Sequence, residues 1–345
     1  GSAAKETTWS PTWKATVEEL SLRGMTLRAL LHFYYEDLPT MPDWQYAPQE
    51  HRTRDVVRRV IIPLTCRDES SYAVSALNRD AARRPQVMVT HNWGNCCKDL
   101  LAAVVSDALM ECSFSLVAKL LEDDCGFLVE LLNRSSRLDV PYWICAFAVN
   151  QHSCICHCNP YDRDPLTNEL HPVCTCGSVN ISDPYSRSTV SEINKFDDMM
   201  YHLATTGGCR QVIAVDQTFD IFHRAWCVAE LSEARHLQMK QSLQIESKAA
   251  IMRHARTLQD LDVRSMRASS EIDQELILNK ITDRTSIDEF NTELQWLIRD
   301  RKSGLPASWH TMDSLQQIGE AGRLIRWGLA DAGTGKVWKA WGAHE

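Results

Sequence analysis

The sequence predicts an α/β protein built on a doubly wound parallel sheet, with a zinc-binding insert and additional helices at both ends. Short apolar runs with strand character alternate along the chain with longer amphipathic segments, which is the order of parallel β-α-β units. A dense group of cysteines and histidines interrupts this alternation after residue 151. Thiolates and imidazoles are ligands that Zn²⁺ prefers, so we predict that this segment is the zinc-binding insert.

Composition excludes several classes of protein. The 345 residues include 37 Lys and Arg against 45 Asp and Glu, a formal net charge of −8. General nucleic-acid binding needs clustered cations, so we expect no nucleic-acid partner. No apolar stretch approaches the roughly 20 residues that span a bilayer, so we expect no membrane partner. The 13 cysteines are odd in number and mostly scattered, which favours a reducing, cytoplasmic location over a secreted disulfide framework.

Residues 1–84 are predicted to form a mainly helical N-terminal extension. Apolar residues recur at helical spacing within 17–35. The run 52–59 contains four arginines. We interpret this run as an ion-pairing or solvated helix face and not as a nucleic-acid site.

Residues 85–246 are predicted to form the α/β core. The run 142–149 is almost continuously apolar, as expected of a central parallel strand that is buried on both faces. Shorter β-type runs precede and follow it, with amphipathic segments between them. The predicted strands are 86–90, 142–149, 211–215 and 243–246, and the predicted helices are 98–110, 116–132, 192–205 and 222–241.

Residues 247–345 are predicted to form a C-terminal helical region and tail. Apolar residues at helical spacing, among them Phe290 and Leu294, mark a helix before residue 300. The last forty residues or so show no clear element. We therefore expect the helices of this region to end near residue 300.

Polar side chains follow three of the predicted strands. The first strand ends in His91-Asn92-Trp93, the second in Asn150-Gln151-His152, and the third in Asp216. Ligands of open parallel sheets bind at the carboxyl ends of the strands, so we expect these residues to share one ligand-binding rim. The alternative is that they form turns and helix caps, which Asn and Asp often do.

A further group lies on the helix predicted after the third strand. Trp226 and Glu230 are four residues apart and therefore on one helix face, and Arg224 lies just before them. An aromatic ring above a carboxylate suits a sugar or a nucleotide, because the ring stacks while the carboxylate accepts hydrogen bonds from hydroxyls. The alternative is a buried tryptophan beside an exposed glutamate.

The segment 212–231 resembles the TIR (Toll/interleukin-1 receptor) family. Plant-type TIR domains follow a strand with a Trp-Cys-x-x-Glu-Leu helix, which Trp226, Cys227, Glu230 and Leu231 match. The likeness extends as a pattern over about 85–240 and implies a TIR-like fold. It also implies that Glu230 is the catalytic acid for NAD cleavage and that activity needs self-association.

The chain is also similar to protist protein families. These families combine a Thr-His-Asn-Trp start with an Arg-Ala-Trp-Cys-x-x-Glu helix, and both motifs stand in this sequence together with a Cys/His-rich insert. This second likeness implies no activity.

Residues 152–180 are predicted to bind zinc, with a structural role. Two C-x-C pairs stand beside histidines in a polar segment that cannot build its own core, so a metal would supply folding energy. A catalytic zinc that uses fewer cysteines together with His152 or His91, disulfides, and unrelated free thiols are the alternatives. The first ligand set is Cys156, Cys158, Cys174 and Cys176, with Cys154, His157 and His171 as further candidates.

These features favour an enzyme that cleaves the N-glycosidic bond of NAD or a related nucleotide. Glu230 would stabilise an oxocarbenium-like transition state, and His91 and Asp216 would assist. A non-catalytic TIR-like signalling scaffold with structural zinc, or a different zinc or cysteine-nucleophile hydrolase, are the alternatives. The candidate substrate-binding residues are Asn92, Trp93, Asn150, Gln151, His152, Arg224 and Trp226.

Overall fold

A computed structural model describes residues 10–111, 113–179, 191–268 and 271–299. The chain divides into two compact units, Gly1–Trp296 and Leu297–Glu345. Almost the whole second unit, including the predicted tail beyond residue 300, lies outside the described residues. The sheet and the candidate site belong to the first unit.

The first unit is built around a five-stranded sheet. Its order in space is β1-β3-β2-β4-β5. β1 pairs antiparallel with β3 at one edge, and the other four strands run parallel to one another. The prediction of a mostly parallel α/β sheet is confirmed. The strands are β1 (Met25–Thr26), β2 (Val87–His91), β3 (Pro141–Ile144), β4 (Arg210–Ala214) and β5 (Gln241–Gln244).

Helices precede, separate and follow the strands. Short π-helical turns at Phe33–Asp37 and Val57–Ile61 extend two of them. None of the helices in the described part of the chain is long and apolar enough to cross a bilayer. The helices are α1 (Pro11–Ser21), α2 (Leu27–His32), α3 (Thr53–Val56), α4 (Ile62–Thr65), α5 (Cys97–Ala108), α6 (Ser115–Asp123), α7 (Cys125–Arg134), α8 (Cys145–Ala148), α9 (Gln151–Cys154), α10 (Phe196–Gly207), α11 (Ala225–His236), α12 (Lys248–Arg253), α13 (Ala255–Gln259), α14 (Glu271–Thr282) and α15 (Ile287–Arg299).

Both faces of the sheet are buried under helices. Val87 and Val89 of β2 belong to one apolar layer together with Leu100 of α5. Met88, which lies between them, belongs to a second layer together with Met199 of α10. Successive side chains of a strand point to opposite faces, so the two layers are the two sides of the sheet.

The second predicted strand is shorter than its sequence pattern indicates. β3 ends at Ile144, and the rest of the apolar run 142–149 turns into the short helix α8. A continuous apolar run fits a buried strand and a buried helix equally well, which explains the error. Asn150, Gln151 and His152 therefore do not stand at the carboxyl end of a strand, because α8 carries the chain away first.

Residues 10–84 complete the sheet and its core. β1 lies in this segment and pairs Met25 with Tyr142 of β3. A Cβ at Gly24 would meet the Arg83 carbonyl oxygen at 2.7 Å, so glycine is needed where these two segments cross. The pattern of the sequence predicts the helices of this segment but not its edge strand.

Helices of the predicted C-terminal region pack onto the core. Lys280 Nζ of α14 lies 2.9 Å from a carboxylate oxygen of Glu233 on α11. Arg284 Nη1, just after α14, lies 2.8 Å from the same oxygen. On α15, Phe290 and Leu294 are buried, as their helical spacing predicts.

Candidate functional site

A cavity of about 990 Å³ opens between the loops that follow β2 and β4. These two strands are neighbours in the sheet, so their carboxyl ends lie side by side. α11 forms part of the wall. Most of the predicted catalytic and substrate-binding residues line this cavity, and Asn150 and His152 do not. The predicted residues that line it are His91, Asn92, Trp93, Gln151, Asp216, Arg224, Trp226 and Glu230.

Glu230 faces the cavity from α11, one turn after Trp226. Thr90 Oγ1, in β2, donates a hydrogen bond of 2.5 Å to Oε2 of Glu230. Burial raises the pKa of Glu230 to about 7, and the hydrogen bond from Thr90 opposes that rise. Glu230 therefore changes charge near neutral pH, as catalytic carboxyl groups often do. Thr90 has no catalytic motif around it, and sequence reasoning did not identify it as a partner of Glu230.

Two tryptophans contribute aromatic surface to the cavity. Trp226 is 39% exposed. Trp93 is half-buried, and its indole Nε1 donates to Cys145 Sγ at 3.2 Å, which fixes the orientation of the ring. Large rings held at the wall of a concave site provide faces on which a planar ligand can stack.

His91 and Cys145 form an uncharged pair at the ends of β2 and β3. His91 Nε2 lies 3.8 Å from Cys145 Sγ, and His91 Nδ1 lies 3.4 Å from the Val89 carbonyl oxygen. Burial lowers the pKa of His91 to about 4 and raises the pKa of Cys145 to about 12. A thiol with such a high pKa is not an activated nucleophile. Sequence reasoning did not identify Cys145, because it placed this residue inside a strand.

Asp216 organises the loop after β4. Its carboxylate accepts hydrogen bonds from the backbone N–H groups of Asp220 and Ile221, at 2.9 and 2.7 Å. It also accepts the Thr218 hydroxyl at 2.7 Å. Asp216 therefore forms this loop and also lines the cavity, and its catalytic role stays a prediction.

Arg52 and Arg224 line the cavity without an ion-pair partner among the described residues. Other cationic residues of the wall are paired: Arg58 with Asp162 at 3.3 Å, and Arg267 with Asp220. An unpaired guanidinium group can bind two phosphate oxygens at once. The cavity therefore offers two positions for an anionic ligand group. Arg52 was not among the predicted site residues.

Asn150 and Gln151 form hydrogen bonds mainly with the protein backbone. Asn150 caps α9, since its Oδ1 accepts the His152 backbone N–H at 3.0 Å. Gln151 lines the cavity, but its Nε2 donates to the carbonyl oxygens of Cys145 and Ala146 at 3.2 and 3.3 Å. For Asn150 the predicted substrate contact is replaced by a helix cap, and Gln151 braces the turn that follows β3.

Asn92 joins the two loops that border the cavity. Its Oδ1 accepts the Gly94 backbone N–H at 2.9 Å, and its Nδ2 donates to Asp220 Oδ2 at 3.4 Å. The first contact closes a turn after β2, and the second reaches the loop after β4. Asn92 thus holds the two loops together while it lines the cavity.

Four side chains beside α9 form a group that could hold a metal ion. The ligand atoms of His152, Cys156, Cys174 and Cys176 all lie within 4.8 Å of one another. The Cys174 backbone N–H donates to the Cys156 carbonyl oxygen at 2.8 Å, which joins the two cysteine-bearing segments. Three thiols and one imidazole match the donor set of tetrahedral structural sites and are compatible with zinc. We call this group the metal cluster.

The His152 imidazole is oriented for ligation. Its Nδ1 lies 3.5 Å from Cys176 Sγ, and its Nε2 lies 2.9 Å from the Thr65 hydroxyl oxygen. Thr65 donates its own hydroxyl hydrogen to the Ile61 carbonyl oxygen at 2.7 Å, so its oxygen accepts from Nε2–H. The Nδ1 lone pair is therefore left for a metal. Metal-binding histidines commonly have their other N–H held in this way.

Four predicted ligands, among them His157, lie outside the metal cluster. Cys158 is exposed. Cys154 is buried in the second apolar layer. His171 Nε2 lies 2.8 Å from Asp55, and His171 Nδ1 accepts Arg59 Nε–H at 3.0 Å, so both ring nitrogens are occupied. His152, predicted to bind substrate, belongs to the metal cluster, because the chain turns after α9 and brings Cys156 Sγ to 3.2 Å from the His152 carbonyl oxygen.

Two further side chains contact the metal cluster. Cys66 Sγ lies 3.3 Å from Cys174 Sγ, and His157 Nε2 lies 3.2 Å from Cys176 Sγ. Cys66 comes directly after α4, far from the insert in sequence. No local motif could have identified it.

The arginine run 52–59 holds the insert in place. Arg58 Nη1 donates to the carbonyl oxygens of Ile155 and Cys158 at 2.7 and 2.9 Å. Arg58 Nε also donates to Asp162 at 3.3 Å. Within this run Arg54 and Arg58 form ion pairs with Asp162 of the insert.

Comparison of the chain with family models, with curated proteins and with solved structures finds no match in any of the three. The TIR-like assignment stays a prediction that depends on the residues quoted above.

Proposed function

We propose that this protein hydrolyses the N-glycosidic bond of NAD or a related nucleotide, with Glu230 as the catalytic carboxylate. The observation that carries the proposal is the position of Glu230 in the cavity wall one turn after the exposed Trp226, with a hydrogen bond from Thr90. A stacking surface and a carboxylate on one helix face are what a ribose joined to a planar base requires.

In the proposed reaction the bond between C1′ of the ribose and the pyridinium nitrogen breaks. The electron pair of that bond leaves with nicotinamide, and C1′ becomes oxocarbenium-like. The ionised Glu230 accepts hydrogen bonds from the ribose hydroxyls and stabilises the positive charge on the sugar. Water then adds to C1′ and releases one proton, so that the products are nicotinamide and ADP-ribose.

The rest of the cavity supports a nucleotide substrate. Trp226 and Trp93 provide ring faces, and Arg52 and Arg224 provide cationic groups for a diphosphate. These features favour a phosphorylated nucleotide over a neutral sugar.

The topology supports a doubly wound, TIR-like fold. The parallel strands alone have the order β3-β2-β4-β5, and helices cover both faces. In doubly wound sheets of this order the ligand lies where the strand order reverses, which here is between β2 and β4. The cavity opens between the loops that follow these two strands.

We propose zinc as the occupant of the metal cluster. The donor set, the number of ligands and the hydrogen bond that holds His152 all fit a closed, structural site. When bound, zinc would join the segment after α9 to Cys174 and Cys176 and so stabilise the wall that carries Gln151. Free thiols among the described cysteines support the proposed reducing, cytoplasmic location.

The direct test is product analysis with NAD as the substrate. The purified protein, at several concentrations because the TIR likeness implies self-association, is expected to release nicotinamide and ADP-ribose. The same preparation of Glu230→Ala is expected to release neither. A folded, metal-loaded protein that leaves NAD intact at every concentration would overturn NAD as the substrate.

The pH dependence of the reaction is expected to follow the ionisation of Glu230. The pKa of about 7 lies above the usual value of a glutamate, and the ionised form is the active one. Activity should therefore fall about tenfold per pH unit below this pKa and level off above it. A pH profile of kcat/KM, which reports ionisations of the ligand-free enzyme, checks this, and a profile that is flat between about pH 5 and 8 would contradict it.

A further inference from the structure

The buried Gln211 and the half-buried Gln241 extend the hydrogen bond between Thr90 and Glu230 across the sheet. Gln211 Nε2, in β4, donates to Thr90 Oγ1 at 2.7 Å. Gln241 Nε2, in β5, donates to Gln211 Oε1 at 2.7 Å. Gln211 and Gln241 are direct partners in the register of the two strands, so their side chains lie on the same face of the sheet.

The backbone of α11 determines which end of each amide is the donor. Gln211 Nε2 also lies 3.3 Å from the Glu230 carbonyl oxygen, and Gln241 Nε2 lies 3.3 Å from the Leu231 carbonyl oxygen. A carbonyl oxygen can only accept, so each of these contacts requires the NH₂ end of the amide. The two carbonyl groups therefore give the chain of hydrogen bonds one direction, from Gln241 towards Glu230.

This direction leaves the Thr90 hydroxyl with one role. Its oxygen accepts from Gln211, and its single hydrogen points to Glu230 Oε2. Thr90 and Gln211 are fully buried, so no water replaces either contact. A donor that is held in place before the ligand binds stabilises the charged carboxylate more than a rotating hydroxyl does.

We propose that Gln241 and Gln211 are positioning residues that act through Thr90 to hold Glu230 in its ionised form, with its carboxylate directed at the cavity. We call the hydrogen bonds that run from Gln241 through Gln211 and Thr90 to Glu230 the relay. The effect of the relay on catalysis rests on the proposed function of Glu230. The relay itself does not, because the ionisation of Glu230 can be measured without any substrate.

The test is a titration of Glu230 by carboxyl ¹³C NMR in the full-length, metal-loaded protein, with Glu230→Gln to assign the signal. Thr90→Val and Gln241→Leu are both expected to raise the midpoint, Thr90→Val by about one pH unit, since a hydrogen bond to a charged group is lost. Thr90→Ser keeps the hydroxyl and should retain the native midpoint. Ser242→Ala is the matched control, because Ser242 is the next residue of β5 and points to the opposite face.

A double-variant comparison separates the relay from a general effect on folding. In a Thr90→Val background, Gln241→Leu is expected to leave the midpoint unchanged, because the side-chain route through Thr90 to the Glu230 carboxylate has been removed. The proposal is overturned if Gln241→Leu leaves the midpoint of the otherwise native protein unchanged. It is equally overturned if Gln241→Leu shifts the midpoint as much without Thr90 as with it. Neither result depends on whether NAD is cleaved.

Discussion

Glu230→Gln is expected to lower kcat for nicotinamide release by at least about 10²-fold. The amide has nearly the shape of the carboxyl group but no negative charge, so it cannot stabilise positive charge on the ribose. Stability should not fall with activity, because the substitution removes a buried carboxylate whose ionisation burial opposes. Initial rates and melting temperature, measured on the same preparations, check both parts.

Glu275→Gln is the matched control for this experiment. Glu275 is exposed on α14, outside the residues that line the cavity. We expect it to retain native activity. Activity that survives in Glu230→Gln would remove Glu230 from the reaction. A melting temperature that fell together with activity would show that the substitution acts on the fold.

Cys156→Ser is expected to release the metal and to destabilise the protein strongly. Cys156 is almost fully buried, and a serine hydroxyl is a poor replacement for a zinc-bound thiolate. Losing a structural metal should cost about 3 kcal/mol or more in the free energy of unfolding, which lowers the melting temperature by roughly 5 °C or more. Metal content per chain, measured by mass spectrometry, and thermal unfolding check this.

Cys158→Ser provides the control within the same segment. Cys158 lies two residues away but is exposed and outside the metal cluster. Its substitution should leave about one zinc per chain and a native melting temperature. A native protein that contains no metal when purified under reducing conditions would refute the zinc proposal. So would metal loss that is equal in the two variants.

The core strands were predictable because their signals are local. β2 and β4 lie within one residue of the runs 86–90 and 211–215, since short apolar segments with flanking polar residues suit a buried sheet. β1 has only two residues, so it carries no periodicity of its own, and its place in the sheet depends on β3. The predicted end of β3 was wrong because apolarity alone does not distinguish a strand from a buried helical turn.

The candidate site was predictable where it depends on one element and not where it depends on contacts between elements. Trp226 and Glu230 share a helix face, which their spacing of four residues determines. Thr90, the partner of Glu230, lies 140 residues away from it in the chain. Thr65, the partner of His152, lies 87 residues away. Hydroxyl residues are common in proteins, and only the folded arrangement brings these two to a carboxylate and an imidazole.

The contacts of Arg58 with the insert have a practical consequence for dividing the chain. A fragment that starts at residue 85, where the sequence pattern places the start of the core, would lack Arg58, Thr65 and β1. The carbonyl oxygens of Ile155 and Cys158, the imidazole of His152 and one edge of β3 would then lose their partners together. The smallest piece of this protein that can be studied alone must therefore include the segment before residue 85.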